Sequence, residues 1–204
     1  GAIYQPLFTA FESKAIEHRM STAATQLIVT DQEQRLKLHD LNIPNILTVH
    51  QAVADHYPDA DFWTELKQQS EEFEPVSGQF NDIFLMMFTS GTTGLAKSVP
   101  VPLKALLAFK GYMLHAVDLR EEDSFWNLAD PGWAYGLYYG IAGPLSLGHS
   151  IIMDERGFSV DNAVHIIEKY KVSNLTGSPT AFRMFFGFKE KFDAGISSQL
   201  RVVS

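Results

Sequence analysis

The chain contains no cysteine. Without thiols it can have neither a disulfide framework nor a thiolate zinc site. Its seven histidines are scattered, and none is spaced from another as two metal ligands on one helix would be. We therefore expect each histidine to be structural or exposed, including His165, which lies within a predicted helix.

Long apolar runs and excess positive charge are also missing. Lys and Arg number 16 against 24 Asp and Glu, which gives a net charge of −8 and argues against a nucleic-acid partner. No apolar run is long enough to span a membrane, and the N-terminus lacks the basic-then-apolar pattern of a signal peptide, so we expect no membrane partner and a cytoplasmic location. The first residues are apolar and the last are strand-like, and we expect a piece of a longer chain.

Short apolar strands alternate with amphipathic helices along the sequence. This pattern predicts an α/β fold with largely parallel sheets flanked by helices. A polar stretch at about 55–79 predicts a division into residues 1–79 and 80–204. The predicted helices are 13–23, 32–41, 61–73, 103–117, 135–147, 160–171 and 180–191. The predicted strands are 26–29, 45–49, 83–88, 124–128, 150–153, 172–176 and 199–203.

The most informative stretch follows the strand at 83–88. Four hydroxyls, two glycines and one lysine fall within nine residues: Thr89, Ser90, Gly91, Thr92, Thr93, Gly94 and Lys97. Glycine lets backbone N–H groups turn toward a ligand, hydroxyls add short donors, and lysine adds a mobile positive charge. Such a concavity binds anions, and a polyphosphate is its natural ligand.

One candidate is a Walker A loop, G-x-x-x-x-G-K-[ST], from which Gly91–Ser98 departs only at Ala96. In a Walker loop the lysine opens a helix whose N-terminus holds phosphate. Here the sequence continues Val99-Pro100-Val101-Pro102, and proline disfavours helix while valine favours strand. We therefore predict that the loop joins two strands, and we disfavour the Walker interpretation.

The segment Phe88-Thr-Ser-Gly-Thr-Thr-Gly-x-x-Lys97 resembles the phosphate loop of the adenylate-forming, or AMP-binding, superfamily. That superfamily includes acyl-CoA synthetases, firefly luciferase and adenylation domains of peptide synthetases. Members usually carry proline before the lysine and glycine after it, where this chain has Ala96 and Ser98. The opening segment up to Arg19 is similar as well, so the resemblance extends along almost the whole chain.

A second segment narrows the resemblance to the acetyl-CoA and medium-chain acyl-CoA synthetase branch. The sequence Trp126-x-x-Ala-Asp-x-Gly-Trp133, followed by an aromatic helix, is similar to the stretch that lines the acyl pocket in that branch. The resemblance implies that Trp133, Ala134 and Tyr135 bind substrate. Acetate enzymes typically have valine and threonine at the last two positions, which speaks against strict acetate specificity. Without the resemblance, an aromatic helix packed on the sheet is the better explanation of these residues.

A third segment, Thr176–Arg183, resembles the family's next strand-to-helix junction. There the resemblance implies that Ala181 lies near the coenzyme A tunnel. The hydroxyl of Ser178 or Thr180 is expected to cap the following helix, and Arg183 to form a surface pair.

Taken together, the resemblance implies part of the large N-terminal domain of an acyl-CoA synthetase-like ligase. Its reaction would use ATP, Mg²⁺ and coenzyme A to activate a small carboxylic acid, from acetate to medium-chain, as an acyl-adenylate. Lys97 would be catalytic, and the other loop residues would hold the ATP phosphates. The family's glycine-glutamate-proline segment, magnesium-binding glutamate motif, ribose-binding aspartate and C-terminal lysine domain are absent from this sequence, so the chain alone is expected to be inactive. The alternatives are a non-catalytic nucleotide-binding or scaffold domain and a Walker-type NTPase.

Overall fold

The computed structural model describes residues 1–49, 59–89, 94–188, 190 and 196–204. The chain divides into two compact units, Gly1–Leu103 and Lys104–Ser204. The division predicted from the sequence, 1–79 and 80–204, concerns the subdomains of a larger ligase and stays a prediction. Within the described residues, no helix has both the length and the apolar character needed to cross a membrane.

The first unit begins with three short parallel strands and the helices around them. Its elements are α1 (Ser13–Ala23), β1 (Ile28–Thr30), α2 (Gln32–Arg35) with a 3₁₀ turn (Leu36–Leu38), β2 (Ile46–Thr48), β3 (Ala60–Asp61) and α3 (Phe62–Lys67). The strands lie in the order β1-β2-β3 and pair in parallel. α1 buries Ile16 and Met20 against Ile28 and Leu38, so one face of the sheet has an apolar core.

α3 is shorter than the helix predicted over 61–73. Asp61 caps its start, because the carboxylate accepts the N–H of Thr64 at 2.8 Å. None of its residues is buried, so no packing supports a longer helix. Beyond its end, the Ser70 hydroxyl accepts the N–H of Glu72 at 3.1 Å, a local bond that competes with helix.

A β-hairpin completes the first unit. β4 (Ile83–Thr89) pairs antiparallel with β5 (Lys97–Pro102), which confirms the predicted strand-to-strand connection. On the other side of β4, the Tyr4 N–H donates to the Phe84 carbonyl at 2.9 Å. The two prolines of β5 fit a strand with an unpaired edge, because proline cannot donate to a neighbour.

The second unit is built around another parallel sheet. Its elements are α4 (Ala105–His115), β6 (Phe125–Asn127), α5 (Ala134–Leu137), a π-helical turn (Tyr138–Ala142), α6 (Gly143–Ser146), α7 (Val160–Tyr170), β7 (Asn174–Thr176), α8 (Pro179–Phe186), α9 (Ile196–Gln199) and β8 (Val202–Val203). The strand order is β6-β7-β8. Phe125 packs with Met113 of α4, whereas its neighbour Trp126 packs with Ile167 of α7, so helices cover both faces of the sheet. The α/β class with largely parallel sheets is therefore confirmed.

Two predicted elements of this unit differ in the structure. The helix predicted over 135–147 is interrupted by the π-helical turn, in which the N–H of Gly143 donates to the carbonyl of Tyr138. Pro144 has no N–H to offer the Gly140 carbonyl, so a regular α-helix cannot continue through this point. The strand predicted over 150–153 is reduced to a single parallel bridge between Ile152 and Trp126.

Candidate functional site

The ends of the predicted phosphate loop are fixed by the hairpin. Thr89, the last residue of β4, pairs in register with Lys97, the first residue of β5. Residues directly opposite each other in an antiparallel pair project their side chains on the same face. The Thr89 hydroxyl and the Lys97 ammonium group therefore leave the sheet side by side. Ser90, Gly91, Thr92 and Thr93 lie outside the described residues.

Gly94 has a backbone conformation that only glycine adopts readily. Its φ is +135°, and, chain neighbours aside, a Cβ added there would meet no atom of the described residues within 4 Å. Packing against the described residues therefore does not select glycine at this position. The backbone angle does, because side-chain-bearing residues are strained in that region.

Lys97 is an exposed cation with no charge partner in the described part of the chain. No described residue forms a hydrogen bond or an ion pair with the Lys97 side chain. An ammonium group in this situation is available to an anion without first breaking an internal contact. The lysine also opens a strand rather than a helix, which is unlike the geometry of a Walker A loop.

Helix α1 contacts both strands of the hairpin close to these residues. The Nε2 atom of His18 donates to the carbonyl of Ala96, the residue before Lys97, at 2.7 Å. The guanidinium carbon of Arg19 lies 3.9 Å from the Phe11 ring centroid and 5.6 Å from that of Phe88, the residue before Thr89. Sequence reasoning missed both residues, since a contact across 78 positions leaves no local signal.

In the second unit, a tight turn carries the three predicted substrate residues. β6 ends at Asn127, whose side-chain oxygen accepts the Ala129 N–H at 2.8 Å. Asp130 continues the turn by accepting the Gly132 N–H at 2.6 Å. Trp133 then precedes α5 as its N-cap residue and is 47% exposed, while Ala134 and Tyr135 form the first helical positions.

Gly136 explains why this turn can fold back on α5. A Cβ at this position would lie 2.2 Å from the Asp130 carbonyl oxygen. Any side chain would therefore push the helix away from the turn that carries Trp133. The sequence Asp-Pro-Gly-Trp-Ala-Tyr-Gly thus contains both the turn and the glycine that the turn requires.

Aromatic rings surround Tyr135. The rings of Tyr135 and Tyr139 meet edge to face at 5.5 Å between centroids, and Tyr139 stacks on Tyr112 of α4 at 3.9 Å. Burial raises the pKa of the Tyr135 phenol, Tyr112 raises it further, and the Thr176 side chain opposes the rise. The phenol of Tyr135 is therefore neutral near pH 7. Tyr112, Tyr135 and Tyr139 form an aromatic wall with polar tips, as suits a largely apolar ligand.

The third predicted segment lies beside this wall. Asn127 and Thr176 are register partners at the carboxyl ends of β6 and β7, the edge at which parallel sheets bind ligands. Ser178 caps α8 by accepting the Ala181 N–H at 3.2 Å, which confirms one of the two predicted caps. The Ala181 side chain is only 8% exposed.

Two buried polar atoms at this edge, the Thr176 hydroxyl and the Asn127 side-chain nitrogen, have no hydrogen-bond partner among the described residues. The Thr176 hydroxyl nevertheless lies near enough to Tyr135 to lower its pKa. The carboxyl ends of β6 and β7 therefore place polar groups next to the aromatic wall. Asn127 was not among the residues predicted from the sequence.

The chain matches the family described as AMP-binding enzyme over residues 1–204. It is 30% identical over 197 residues to an acetyl-coenzyme A synthetase of Bacillus subtilis, with 95% of this chain and 34% of the relative covered. It is 27% identical to the synthetase of Cronobacter sakazakii, covering all of this chain and 35% of the relative. The chain thus spans about a third of the length of these curated relatives.

Two solved structures share its fold. A Brucella canis acyl-CoA synthetase superimposes with a TM-score of 0.94 at 49% identity, and the match covers all of this chain and 38% of that one. An anthranilate CoA ligase in complex with anthranoyl-AMP gives a TM-score of 0.89 at 20% identity, covering all of this chain and 40% of that one, a likeness of fold alone. With the family match along its whole length, this chain belongs to the AMP-binding enzyme family.

Proposed function

We propose that this chain is part of an ATP-dependent acid–CoA ligase and carries the residues that hold the β- and γ-phosphates of ATP. The pairing of Thr89 with Lys97 at the ends of a Gly/Ser/Thr-rich loop carries this proposal. It supplies, side by side, a hydroxyl donor and a cation that has no partner among the described residues. Membership of the AMP-binding family supports the assignment over a surface turn of the same composition.

In the proposed reaction the substrate carboxylate attacks the α-phosphorus of ATP and pyrophosphate leaves. The acyl-adenylate then reacts with the coenzyme A thiol to give acyl-CoA and AMP. Lys97 would lie against the β- and γ-phosphates and stabilise the charge that develops on departing pyrophosphate. Thr89, Ser90, Thr92 and Thr93 would donate hydrogen bonds, while Gly91 and Gly94 give backbone N–H groups access to the ligand.

Mg²⁺ is proposed as the counter-ion of the phosphates. In the parts of the chain that the structure describes, no group of three or more His, Asp or Glu side chains is arranged to hold a metal. We therefore assign no magnesium ligand among these residues. The chemistry proposed for this chain is the neutralisation of phosphate charge by Lys97.

The acid is proposed to bind along Trp133, Ala134 and Tyr135. The aromatic wall of Tyr112, Tyr135 and Tyr139 fits an apolar acyl chain better than a charged one. We propose a small carboxylic acid, from acetate to medium-chain. The coenzyme A contact at Ala181 rests on the family resemblance, because its side chain is mostly buried.

The test is carboxylate-dependent exchange of pyrophosphate into ATP, measured on the complete gene product. Lys97→Ala should slow the exchange roughly 10- to 100-fold, the loss expected when one charge-assisted hydrogen bond of about 1.5–3 kcal/mol is removed. Lys104→Ala removes another exposed lysine and should leave the rate unchanged. An unaltered rate in Lys97→Ala would contradict the assigned role.

The same assay separates the alternatives. Exchange that requires an acid indicates the ligase. ATP hydrolysis without an acid would indicate an NTPase, and absence of both reactions would indicate a binding or scaffold domain. Acids of increasing chain length then measure the size of the pocket, since each methylene changes binding by about 1–3 kcal/mol.

A further inference from the structure

The carbonyl of Ala96 has a side-chain partner from a distant part of the chain. The Nε2 atom of His18, in the middle of α1, donates to it at 2.7 Å. His18 is half-buried, and helix α1 also packs against β5. The bond is therefore made within a packed contact, at the residue that precedes the proposed catalytic lysine.

Arg19, the neighbour of His18, contacts the other hairpin strand, β4. The guanidinium stacks on Phe11, reaches the ring of Phe88 and donates through Nη1 to the Ala15 carbonyl at 2.8 Å. Its buried Nε atom has no hydrogen-bond partner among the described residues. Within that part of the chain the guanidinium is oriented by aromatic faces and one carbonyl rather than by a carboxylate.

We propose that His18 and Arg19 are positioning residues, which hold the two hairpin strands where Thr89 pairs with Lys97. His18 acts on β5 through the Ala96 carbonyl, and Arg19 acts on β4 through the Phe88 ring. The contacts of His18 with Ala96 and of Arg19 with Phe88 are observed in the structure, and the consequence for ATP binding rests on the proposed function. Neither residue is expected to touch substrate.

A positioning role and a purely structural role lead to different results when either side chain is removed. In a purely structural role, the loss would lower the free energy of unfolding of the whole unit. A positioning role instead makes local opening at the start of β5 more frequent. It also weakens ATP binding more than it slows turnover, since Lys97 is no longer held in place before ATP arrives.

The first experiment measures local opening without any catalytic activity. Trypsin cleavage after Lys97 is timed in the complete gene product, with cleavage after Lys171 in the other unit as an internal reference. His18→Ala should speed the Lys97 cut about 3- to 10-fold, as expected for loss of one hydrogen bond. His18→Gln, whose amide can donate to the same carbonyl, should restore the slow rate.

Arg19→Met tests the second contact, because it keeps a long apolar side chain and removes the planar cation. It should also speed cleavage after Lys97, about 3-fold. Glu17→Ala is the matched control, since Glu17 is exposed on the same helix and should leave the rate unchanged. Cleavage at the wild-type rate in both His18→Ala and Arg19→Met would overturn the proposal.

The second experiment repeats the variants in the exchange assay. His18→Ala should raise the KM for ATP about 3- to 10-fold with a smaller change in kcat, and His18→Gln should recover it. An unchanged KM in an active enzyme would overturn the link to ATP. If the wild-type protein shows no exchange while His18→Ala still accelerates the Lys97 cut, the proposed function fails and the positioning of the hairpin stands.

Discussion

Two glycines that look alike in their surroundings should respond in opposite directions to a methyl group. At neither Gly94 nor Gly111 would an added Cβ meet a tertiary neighbour within 4 Å among the described residues. Gly94 has a φ of +135°, whereas Gly111 lies inside α4. Gly94→Ala should therefore lower the free energy of unfolding by about 1–3 kcal/mol through backbone strain alone.

Gly111→Ala is its matched partner and should raise the free energy of unfolding by about 0.5–1 kcal/mol, because alanine is the better helix former. Urea denaturation of both variants beside the wild-type protein measures the difference. A stabilising Gly94→Ala would show that the positive φ is not required.

Individual residues differ in how far the sequence identified them. The strand after the loop could be predicted, because its valine–proline segment disfavours helix, but the register that pairs Thr89 with Lys97 is known only from the structure. His18 and Arg19 could not, since their partners Ala96 and Phe88 are brought close only by tertiary packing. The proposed substrate residues Trp133, Ala134 and Tyr135 fall between these cases. The Asp-Pro-Gly turn before them can be recognised in the sequence, but the approach of Tyr112 from α4 cannot.

At the scale of elements, one carboxylate joins three parallel strands of the second unit. The Asp123 side chain, just before β6, is 1% exposed. It accepts the Ser173 hydroxyl at 2.7 Å and the Arg201 Nε at 3.0 Å, from the residues that precede β7 and β8. Burial alone would raise the pKa of Asp123, but hydrogen bonds from Arg201 and Ser173 outweigh it and hold the pKa well below its ordinary value of 3.8.

This arrangement predicts acid lability. A carboxyl with a lowered pKa in the folded state stabilises the fold fully above its unfolded pKa, and the contribution is lost as the pH falls below about 4. Asp123→Asn should lower the free energy of unfolding by about 1–3 kcal/mol at pH 7, since it removes the buried charge that faces Arg201, which keeps its ion pair with Asp118. The difference in the free energy of unfolding between the wild-type protein and the variant should become smaller as the pH falls toward 3.

Urea denaturation at pH 7, 5, 4 and 3 measures the difference in the free energy of unfolding between the wild-type protein and Asp123→Asn. Glu122→Gln changes the charge of an exposed neighbour and should alter stability by less than about 0.5 kcal/mol at each pH. A deficit for Asp123→Asn that is the same at pH 7 and pH 3 would show that the Asp123 charge does not hold the strands.

The elements themselves were predictable where periodicity and caps agree. α1 has the predicted bounds, and α7 begins at the predicted residue behind a Ser159 cap. The helix predicted over 135–147 was wrong in its interior, because Pro144 and close packing at Gly143 favour a π-helical turn that apolar periodicity does not reveal. A Cβ on Gly143 would lie 2.7 Å from Met113, a tertiary contact absent from any local pattern.

At the scale of the whole molecule, strand–helix alternation was enough to predict the α/β class, because helices must cover a parallel sheet on both faces. The antiparallel hairpin is the local exception. The prolines after the loop disfavour helix and so predicted a second strand, but not its antiparallel pairing with β4. Alternation does not reveal where one compact unit ends, since that depends on contacts between distant elements. The predicted α/β class is therefore confirmed, whereas the predicted division into residues 1–79 and 80–204 stays a prediction.

The 204-residue chain alone is expected to be unable to catalyse the ligation. It spans about a third of the length of the acetyl-CoA synthetases that it matches, and it lacks the adenine, magnesium and ribose motifs that the family resemblance implies. Phosphate contacts without these groups do not align the carboxylate with the α-phosphorus, and alignment supplies about 7–11 kcal/mol of the rate enhancement. The purified chain, given ATP, Mg²⁺, coenzyme A and the acid preferred by the complete gene product, should yield no detectable acyl-CoA by chromatography. The complete gene product under identical conditions is the positive control, and acyl-CoA made by the 204-residue chain and lost in its Lys97→Ala variant would refute this prediction.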